Sequence, residues 1–94
     1  MAIPDFQTIM LPLLKSFSDK KEHTLRETTE LLAKVFDLSE SEQKVLLPSG
    51  TGHVFHNRVG WARTYLKKAG LLESPNKGLF RITPRGLEVL SENL

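Results

Sequence analysis

Apolar residues near the start of the chain recur at the spacing of an α-helix. Steps of one and three residues separate them, which places them all on one side of a helix. The stripe comprises Phe6, Ile9, Met10, Leu13, Leu14 and Phe17. This pattern predicts a first helix with one buried face.

A second helix is predicted to begin at Thr24. Thr24 and Glu27 have the spacing of a capping box, in which the threonine side chain accepts from an early backbone N–H and the glutamate reaches back to the cap. The residues predicted to lie on its buried side are Leu25, Thr29, Leu32, Val35 and Phe36.

Another capping box, at Ser39 and Glu42, predicts a short third helix. We expect the apolar residues 45–47 to continue it and Pro48 to stop it, because the residue before a proline disfavours helical backbone. The loop at 49–52 lacks the lysine and the preceding strand of a phosphate-binding loop.

The longest predicted helix covers about residues 54–69. Its apolar residues lie four, three, four and three positions apart, and they are Phe55, Val59, Ala62, Leu66 and Ala69. Gly70 follows, where a left-handed conformation commonly ends a helix.

A β-hairpin is predicted over about residues 71–83, from two short segments separated by turn residues. Thr83 should cap a last helix that starts at Pro84, a residue whose fixed φ suits the first helical position. The order of elements predicts a mainly α (α+β) fold. It is a winged helix-turn-helix with a C-terminal two-stranded hairpin wing and a final helix, in a single domain of residues 1–94.

Charge is distributed unevenly along the chain. Residues 53–85 contain seven Lys and Arg but one acid, Glu73, whereas residues 1–52 contain six Lys and Arg and eight acids. Such a basic segment indicates a surface for phosphates or another anionic partner. A solvated basic face without a partner would have the same composition.

Double-stranded DNA is the predicted partner, with the recognition helix 54–69 in the major groove and the hairpin 71–83 on the backbone. Arg pairs with guanine, Asn pairs with adenine, and Lys and Thr bind phosphate oxygens. The residues predicted to contact DNA are His56, Asn57, Arg58, Gly60, Arg63, Thr64, Lys67, Lys77, Arg81 and Arg85. Arg58 and Arg85 oppose the dipole at helix starts, and a nearby anion would favour them there.

Three residues of the long helix each allow two interpretations. Gly60 is less favourable in a helix than alanine by about 1 kcal/mol, so either a DNA strand or a large neighbouring side chain should approach its backbone. Trp61 is expected at the core or its edge rather than as a platform for bases. Tyr65 is expected at the boundary, although its hydroxyl could also face a phosphate.

No enzymatic chemistry is indicated for the chain itself. It has no cysteine, which excludes disulfides, thiolate catalysis and cysteine-ligated zinc. His53 and His56 lack a third ligand, and no paired carboxylates or nucleophile motif occurs. We expect no catalytic residue, metal or small-molecule cofactor. The N-terminus does not resemble a secretion signal and no segment is apolar enough to cross a bilayer, so we expect a cytoplasmic protein without membrane contact.

Three stretches resemble the N-terminal domain of Mrr-type restriction system proteins. They are PLLKSF, LPSGTGHVFHNR and HNRVGWARTYLKKAGLLESPNKGLFRITPRG, and the resemblance covers nearly the whole chain. It implies a winged helix that binds DNA and precedes a separate nuclease domain, which cuts methylated DNA. The nuclease motif of that family, an Asp followed by Gln/Glu-x-Lys, has no counterpart after Ile82. We therefore expect the DNA-recognition part of a nuclease, without a nuclease domain here.

The same scaffold would also suit a protein-interaction or dimerisation module that docks a nuclease domain or a partner subunit. Acidic residues that complement the basic half would serve self-association. These are Glu22, Glu27, Glu30, Asp37, Glu40 and Glu42. RNA binding is disfavoured because the aromatic residues are few and follow an interior pattern.

Overall fold

The chain forms a winged helix. The computed structural model describes residues 3–92, and the predicted domain of residues 1–94 includes two residues at each end that lie outside this range. The described elements, in order, are α1 (Phe6–Ser16), α2 (Leu25–Val35), α3 (Glu40–Gln43), α4 (Val54–Lys68), β1 (Leu72–Asn76), β2 (Leu79–Ile82) and α5 (Pro84–Glu92). The predicted fold and order of elements are confirmed.

The core lies mainly between α1 and α4. Its buried residues from these two helices are Ile9, Leu13 and Leu14, and Phe55, Val59, Ala62 and Leu66, joined by Phe17 directly after α1. α2 adds Leu32 and Ala33, and the hairpin closes the core with Leu72, Phe80 and Ile82. Because α4 holds its apolar stripe against α1, its opposite face remains outside.

Both predicted capping boxes are formed. The backbone N–H of Glu27 donates to the Thr24 hydroxyl at 3.1 Å, and the Thr24 N–H donates to the Glu27 carboxylate at 3.1 Å. Ser39 and Glu42 make the same pair of bonds. This use of Glu42 buries it, with 9% of its surface exposed. Its predicted place on an acidic outer surface is therefore wrong.

The third helix ends earlier than predicted. α3 stops at Gln43, and residues 45–47 run alongside the segment before α4 instead of continuing the helix. The N–H of Val54 donates to the carbonyl of Val45 at 2.8 Å, and the N–H of Leu47 donates to the carbonyl of Gly52 at 2.8 Å. This pairing satisfies one of the backbone donors that the start of α4 would otherwise leave open.

One predicted buried position of α2 is also wrong. Val35 is 59% exposed, whereas Thr28 and Ala33 are buried. Val35 and Leu31 lie beside an open groove between α1 and α2, where Pro12 and Lys15 line the other side. α1 therefore covers only part of the apolar surface of α2.

A Schellman motif ends α4. Gly70 has φ of 80°, its N–H donates to the carbonyl of Lys67 at 3.0 Å, and the N–H of Leu71 donates to that of Leu66 at 2.9 Å. The predicted helix-ending glycine is confirmed. The chain turns directly from α4 into β1, and the hairpin therefore lies next to the long helix.

The hairpin is attached to the body of the domain by a backbone bridge. Leu72 lies opposite Ile82 in the antiparallel pair, and Gly78 at the turn has φ of 77°. His23, between α1 and α2, exchanges two backbone hydrogen bonds with Phe80, at 2.9 and 3.0 Å. The wing is therefore fixed in orientation relative to α4.

The longest described helix has 15 residues. Neither it nor any other helix within residues 3–92 combines the length and the apolar character needed to cross a membrane.

Candidate nucleic-acid interface

The outward face of α4 carries four residues spaced like the buried stripe but displaced by two positions. Asn57, Trp61, Thr64 and Lys68 are all exposed. Two positions correspond to about 200° around a helix, so this stripe lies opposite the core. Asn57 and Thr64 were predicted for this face, but Trp61 and Lys68 were missed. The displaced periodicity was the signal that could have identified them.

Trp61 was predicted at the core or its edge, but it lies outside the core and is not among the residues packed against it. Its surface is 52% exposed, whereas its neighbour Ala62 is buried in the core. The indole lies 6.2 Å from the ring of Tyr65, centre to centre. Tyr65 in turn stacks on Phe6 at 5.1 Å with an interplanar angle of 18°. An aromatic row thus leads from the outward face of α4 to the start of α1.

Gly60 forms part of the wall of an open depression on α4, which we call the Gly60 notch. The notch has a volume of about 480 Å³, and its lining residues are Leu25, His56, Asn57, Gly60, Trp61, Arg63 and Thr64. A methyl group added to Gly60 would lie 3.6 Å from Cδ2 of Leu25, an ordinary contact distance. Packing therefore does not require a glycine here, and the interpretation of Gly60 as room for a neighbouring side chain is wrong.

Arg63 was predicted on the outward face of α4, but its guanidinium lies partly buried against the wing. Its guanidinium carbon is 4.0 Å from the centre of the Phe80 ring, and its Nε and Nη1 atoms are buried without a hydrogen-bond partner among the described residues. Burial lowers the pKa of the Arg63 guanidinium, since desolvation disfavours its charged form. Lys67, one turn further, is exposed, and its Nζ atom lies 5.7 Å from the same ring centre.

Two of the predicted arginines are engaged within the domain. Arg58 donates from Nη1 to the carbonyl oxygens of Ile3 and Pro4, at 2.8 and 3.3 Å. This anchorage of the N-terminal segment, together with the nearby Asp5 carboxylate, accounts for Arg58 near the start of α4 without DNA. The pKa of that carboxylate is lowered chiefly by a backbone hydrogen bond, and the Arg58 charge helps to lower it. Arg81 pairs with Glu73 across the hairpin at 2.5 Å.

Four exposed cations in the basic segment have no acidic partner within residues 3–92. They are Lys67 and Lys68 at the end of α4, Lys77 at the hairpin turn, and Arg85 in the first turn of α5. Among residues 3–92, the ion pairs involve His23, Arg26 and Arg81 instead, and of these only Arg81 belongs to the basic segment. These four cations remain available to an anionic partner.

The exposed His56 lines the Gly60 notch at the start of α4. In the described range, no group of three or more His, Asp or Glu side chains could hold a metal ion. The chemistry of this face therefore rests on hydrogen bonds, positive charge and aromatic surface.

The fold and this face together define a winged-helix protein with an exposed, acid-poor long helix beside its wing. Residues 6–92 match the Mrr N-terminal domain, and the chain belongs to that family. The predicted resemblance is confirmed.

A curated relative shares this domain. The chain is 33% identical over 89 residues to the type IV methyl-directed restriction enzyme EcoKMrr of Escherichia coli strain K12. The matched segment covers 94% of this chain but 29% of that enzyme, so the chain spans less than a third of the length of this relative. No solved structure matches the chain.

Proposed function

We propose that this domain binds double-stranded DNA as the recognition part of a restriction system. The observation that supports the proposal is the exposed stripe of α4. It is flanked by the exposed cations of α4, the hairpin turn and the start of α5, which have no acidic partner in the described part of the chain. The name of the relative describes a methyl-directed restriction enzyme. By analogy, the domain would deliver a nuclease domain to DNA in the cytoplasm and would not cut DNA by itself.

The proposed complex places α4 in the major groove. Asn57 would pair with a base edge there, since its amide offers a donor and an acceptor side by side. Lys77 would meet the backbone from the wing, and Arg85 from the start of α5. Lys67 and Arg63 lie on the side of α4 next to Phe80 of the wing. They would hold the phosphates of the strand that passes between helix and hairpin.

Binding to a random duplex of about 20 base pairs should depend steeply on salt. With four or five phosphates neutralised, the logarithm of affinity should fall against the logarithm of salt concentration with a slope of about −4. A fluorescence anisotropy titration at several salt concentrations measures the slope. No binding even at low salt would rule out this function for the domain.

Replacing Lys77 by alanine should reduce the steepness of that slope by about 0.9, with the same loss for every sequence, because a wing lysine contacts phosphate and not bases. Lys15→Ala is the matched control. It removes the same charge from the groove between α1 and α2, which contains no residue of α4 or the hairpin. An equal change of slope in both variants would show that the wing has no special role.

A second candidate function, the docking of a protein domain, is favoured by the groove between α1 and α2. Leu31 and Val35 are 46% and 59% exposed there, beside Pro12. Such an apolar groove away from the basic face would suit a nuclease domain or a partner subunit. Sedimentation of the domain at rising concentration, with and without duplex, separates self-association from DNA binding.

A further inference from the structure

We infer that His23 is a positioning residue of the DNA interface, which holds the wing in its binding orientation while its imidazole ring is protonated. The inference rests on the proposed DNA binding and names a histidine away from the exposed stripe of α4 that would regulate it. His23 lies in the segment between α1 and α2, and 20% of its side-chain surface is exposed. Its ring packs edge-on against Phe17 of the core, with the ring centres 5.5 Å apart.

Both ring nitrogens of His23 face carboxylates. Nε2 lies 2.8 and 3.0 Å from the two oxygens of Asp19, and Nδ1 lies 3.4 Å from Oε2 of Glu27. The pKa of each carboxyl is lowered, chiefly by a hydrogen bond from a backbone N–H and further by the ring of His23. Both groups are therefore ionised near neutral pH, and an ionised carboxylate can only accept hydrogen bonds.

The two protonation states of the ring satisfy this pair of carboxylates unequally. A protonated imidazole has two N–H donors, one for Asp19 and one for Glu27, whereas a neutral imidazole has one donor and one lone pair. In the neutral ring the lone pair must face one of the two carboxylates. Loss of the proton therefore removes one hydrogen bond and leaves a repulsive contact between two acceptors in its place.

The other charged groups near this segment have partners of their own. Within residues 3–92, the ion pairs of His23 involve only the two carboxylates. Glu22 accepts from the side-chain amide of Asn76 in the hairpin at 2.9 Å. Arg81, which follows Phe80 in β2, pairs with Glu73 on the opposite strand. The charge of the His23 ring therefore acts mainly on Asp19 and Glu27.

The wing is joined to the body of the domain at this histidine. The backbone of His23 exchanges two hydrogen bonds with that of Phe80, at 2.9 and 3.0 Å. The guanidinium carbon of Arg63 and the Nζ atom of Lys67 lie 4.0 and 5.7 Å from the centre of the Phe80 ring. A displacement of His23 would therefore move the hairpin and the surface on which both cations rest.

Binding to a random duplex should weaken as the pH rises through the range in which histidine loses its charge, about pH 5 to 8. The sign follows from the protonated ring, whose two contacts are present at the acidic end of this range and of which one is lost at the alkaline end. Between about pH 6 and about pH 8, at fixed salt, we expect the affinity of the wild-type domain to fall at least about fivefold, the effect of one net hydrogen bond. Anisotropy titrations at each pH measure it.

Glu27→Gln tests the positioning role without removing the histidine. Oε1 of Glu27 accepts from the Thr24 N–H at 3.1 Å in the capping box, and Oε2 faces the ring. Glutamine can keep the first contact through its carbonyl oxygen and can donate from its amide to a ring nitrogen without a proton. The fall in affinity with pH should therefore be about fivefold smaller than in the wild type. Thermal unfolding should show an intact fold.

Two further variants complete the experiment. Asp19→Asn offers an amide to the other ring nitrogen of His23 and should reduce the fall to the same extent. Glu30→Gln is the matched control, because Glu30 lies about one turn further along α2 and pairs with Arg26 at 3.3 Å instead of with the histidine. Its affinity should fall with pH as in the wild type. The other histidines of the chain are present in all of these proteins, so their contribution cancels in the comparison.

Three outcomes would overturn the inference and leave DNA binding intact. They are a wild-type affinity that does not change with pH, a fall in Glu27→Gln and Asp19→Asn as large as in the wild type, and a fall reduced equally in Glu30→Gln. The last would show that any loss of acidic charge from α2 has the same effect. Absence of duplex binding at every pH, even at low salt, would refute the inference together with the proposed function.

Discussion

Replacing Gly86 by alanine is expected to lower the free energy of unfolding by about 3 kcal/mol, because the added methyl group has no space. It would collide with the carbonyl oxygen of Leu71 and would lie 2.6 Å from Cγ1 of Ile82. A backbone oxygen at the base of the hairpin cannot rotate away as a side chain would. Urea unfolding followed by circular dichroism measures the loss.

Gly60→Ala is the control for this experiment. It makes the same change inside α4, where space is available, and should raise the free energy of unfolding by up to about 1 kcal/mol. A lower free energy of unfolding in Gly86→Ala and a higher one in Gly60→Ala would show that close packing dominates at Gly86 and helix propensity at Gly60. A Gly86→Ala domain as stable as the wild type would mean that α5 does not press against the hairpin as described.

The contacts around Gly86 explain why Thr, Pro and Gly stand together at the start of α5. The Thr83 hydroxyl donates to the carbonyl of Gly70 at 2.6 Å and accepts from the N–H of Gly86 at 3.0 Å. Pro84 takes the first helical position, as predicted. The sequence indicated the cap and the proline, since both depend on local chemistry. It could not indicate the close approach of Leu71, which arises from folding.

Local signals predicted the elements of the fold well. The capping residues Thr24 and Ser39 and the helix-ending Gly70 are all confirmed, because each acts on backbone groups within a few residues. The prediction that the third helix continues through residues 45–47 was wrong, because it depends on contacts that are not local. The apolar residues 45–47 pair with the start of α4, and such pairing depends on a turn that periodicity does not reveal.

The candidate site was predicted less completely, because side-chain partners come from distant parts of the chain. Arg58 is engaged by the carbonyls of Ile3 and Pro4, more than fifty residues earlier, and Arg81 by Glu73 on the opposite strand. From composition alone, both arginines were predicted to be cations free to contact DNA. Residue type likewise favoured the core or its edge for Trp61, although the period of α4 puts this residue opposite the core.

Arg63 is the predicted contact residue whose environment differs most from the expected one. Two of its guanidinium nitrogens are buried over Phe80 and find no acceptor within residues 3–92, an arrangement that leaves hydrogen-bonding capacity unused in the free domain. A rotation of the side chain toward a DNA strand between α4 and the wing would supply those acceptors. Of the two contacts open to an arginine on this helix, a phosphate or a base, we therefore expect Arg63 to bind phosphate in the complex.

Arg63→Met should change stability and binding in opposite directions. Methionine preserves an unbranched side chain against Phe80 and removes the unsatisfied donors, so the free energy of unfolding should rise by about 1 kcal/mol. DNA affinity should fall by about 1 to 3 kcal/mol, equally for all sequences, and the salt slope should become shallower by about 0.9. Urea unfolding and anisotropy titrations on the same preparation measure both effects.

Arg63→Lys distinguishes the two kinds of contact. Lysine keeps the charge but lacks the planar pair of donors, so a phosphate contact should retain most of the affinity, whereas a bidentate contact with guanine should lose as much as in Arg63→Met. A loss confined to certain sequences in both variants would indicate that Arg63 contacts a base and not phosphate. If Arg63→Met binds DNA with wild-type affinity, Arg63 does not contact DNA. Lys67 would then be the residue that binds the strand between helix and hairpin.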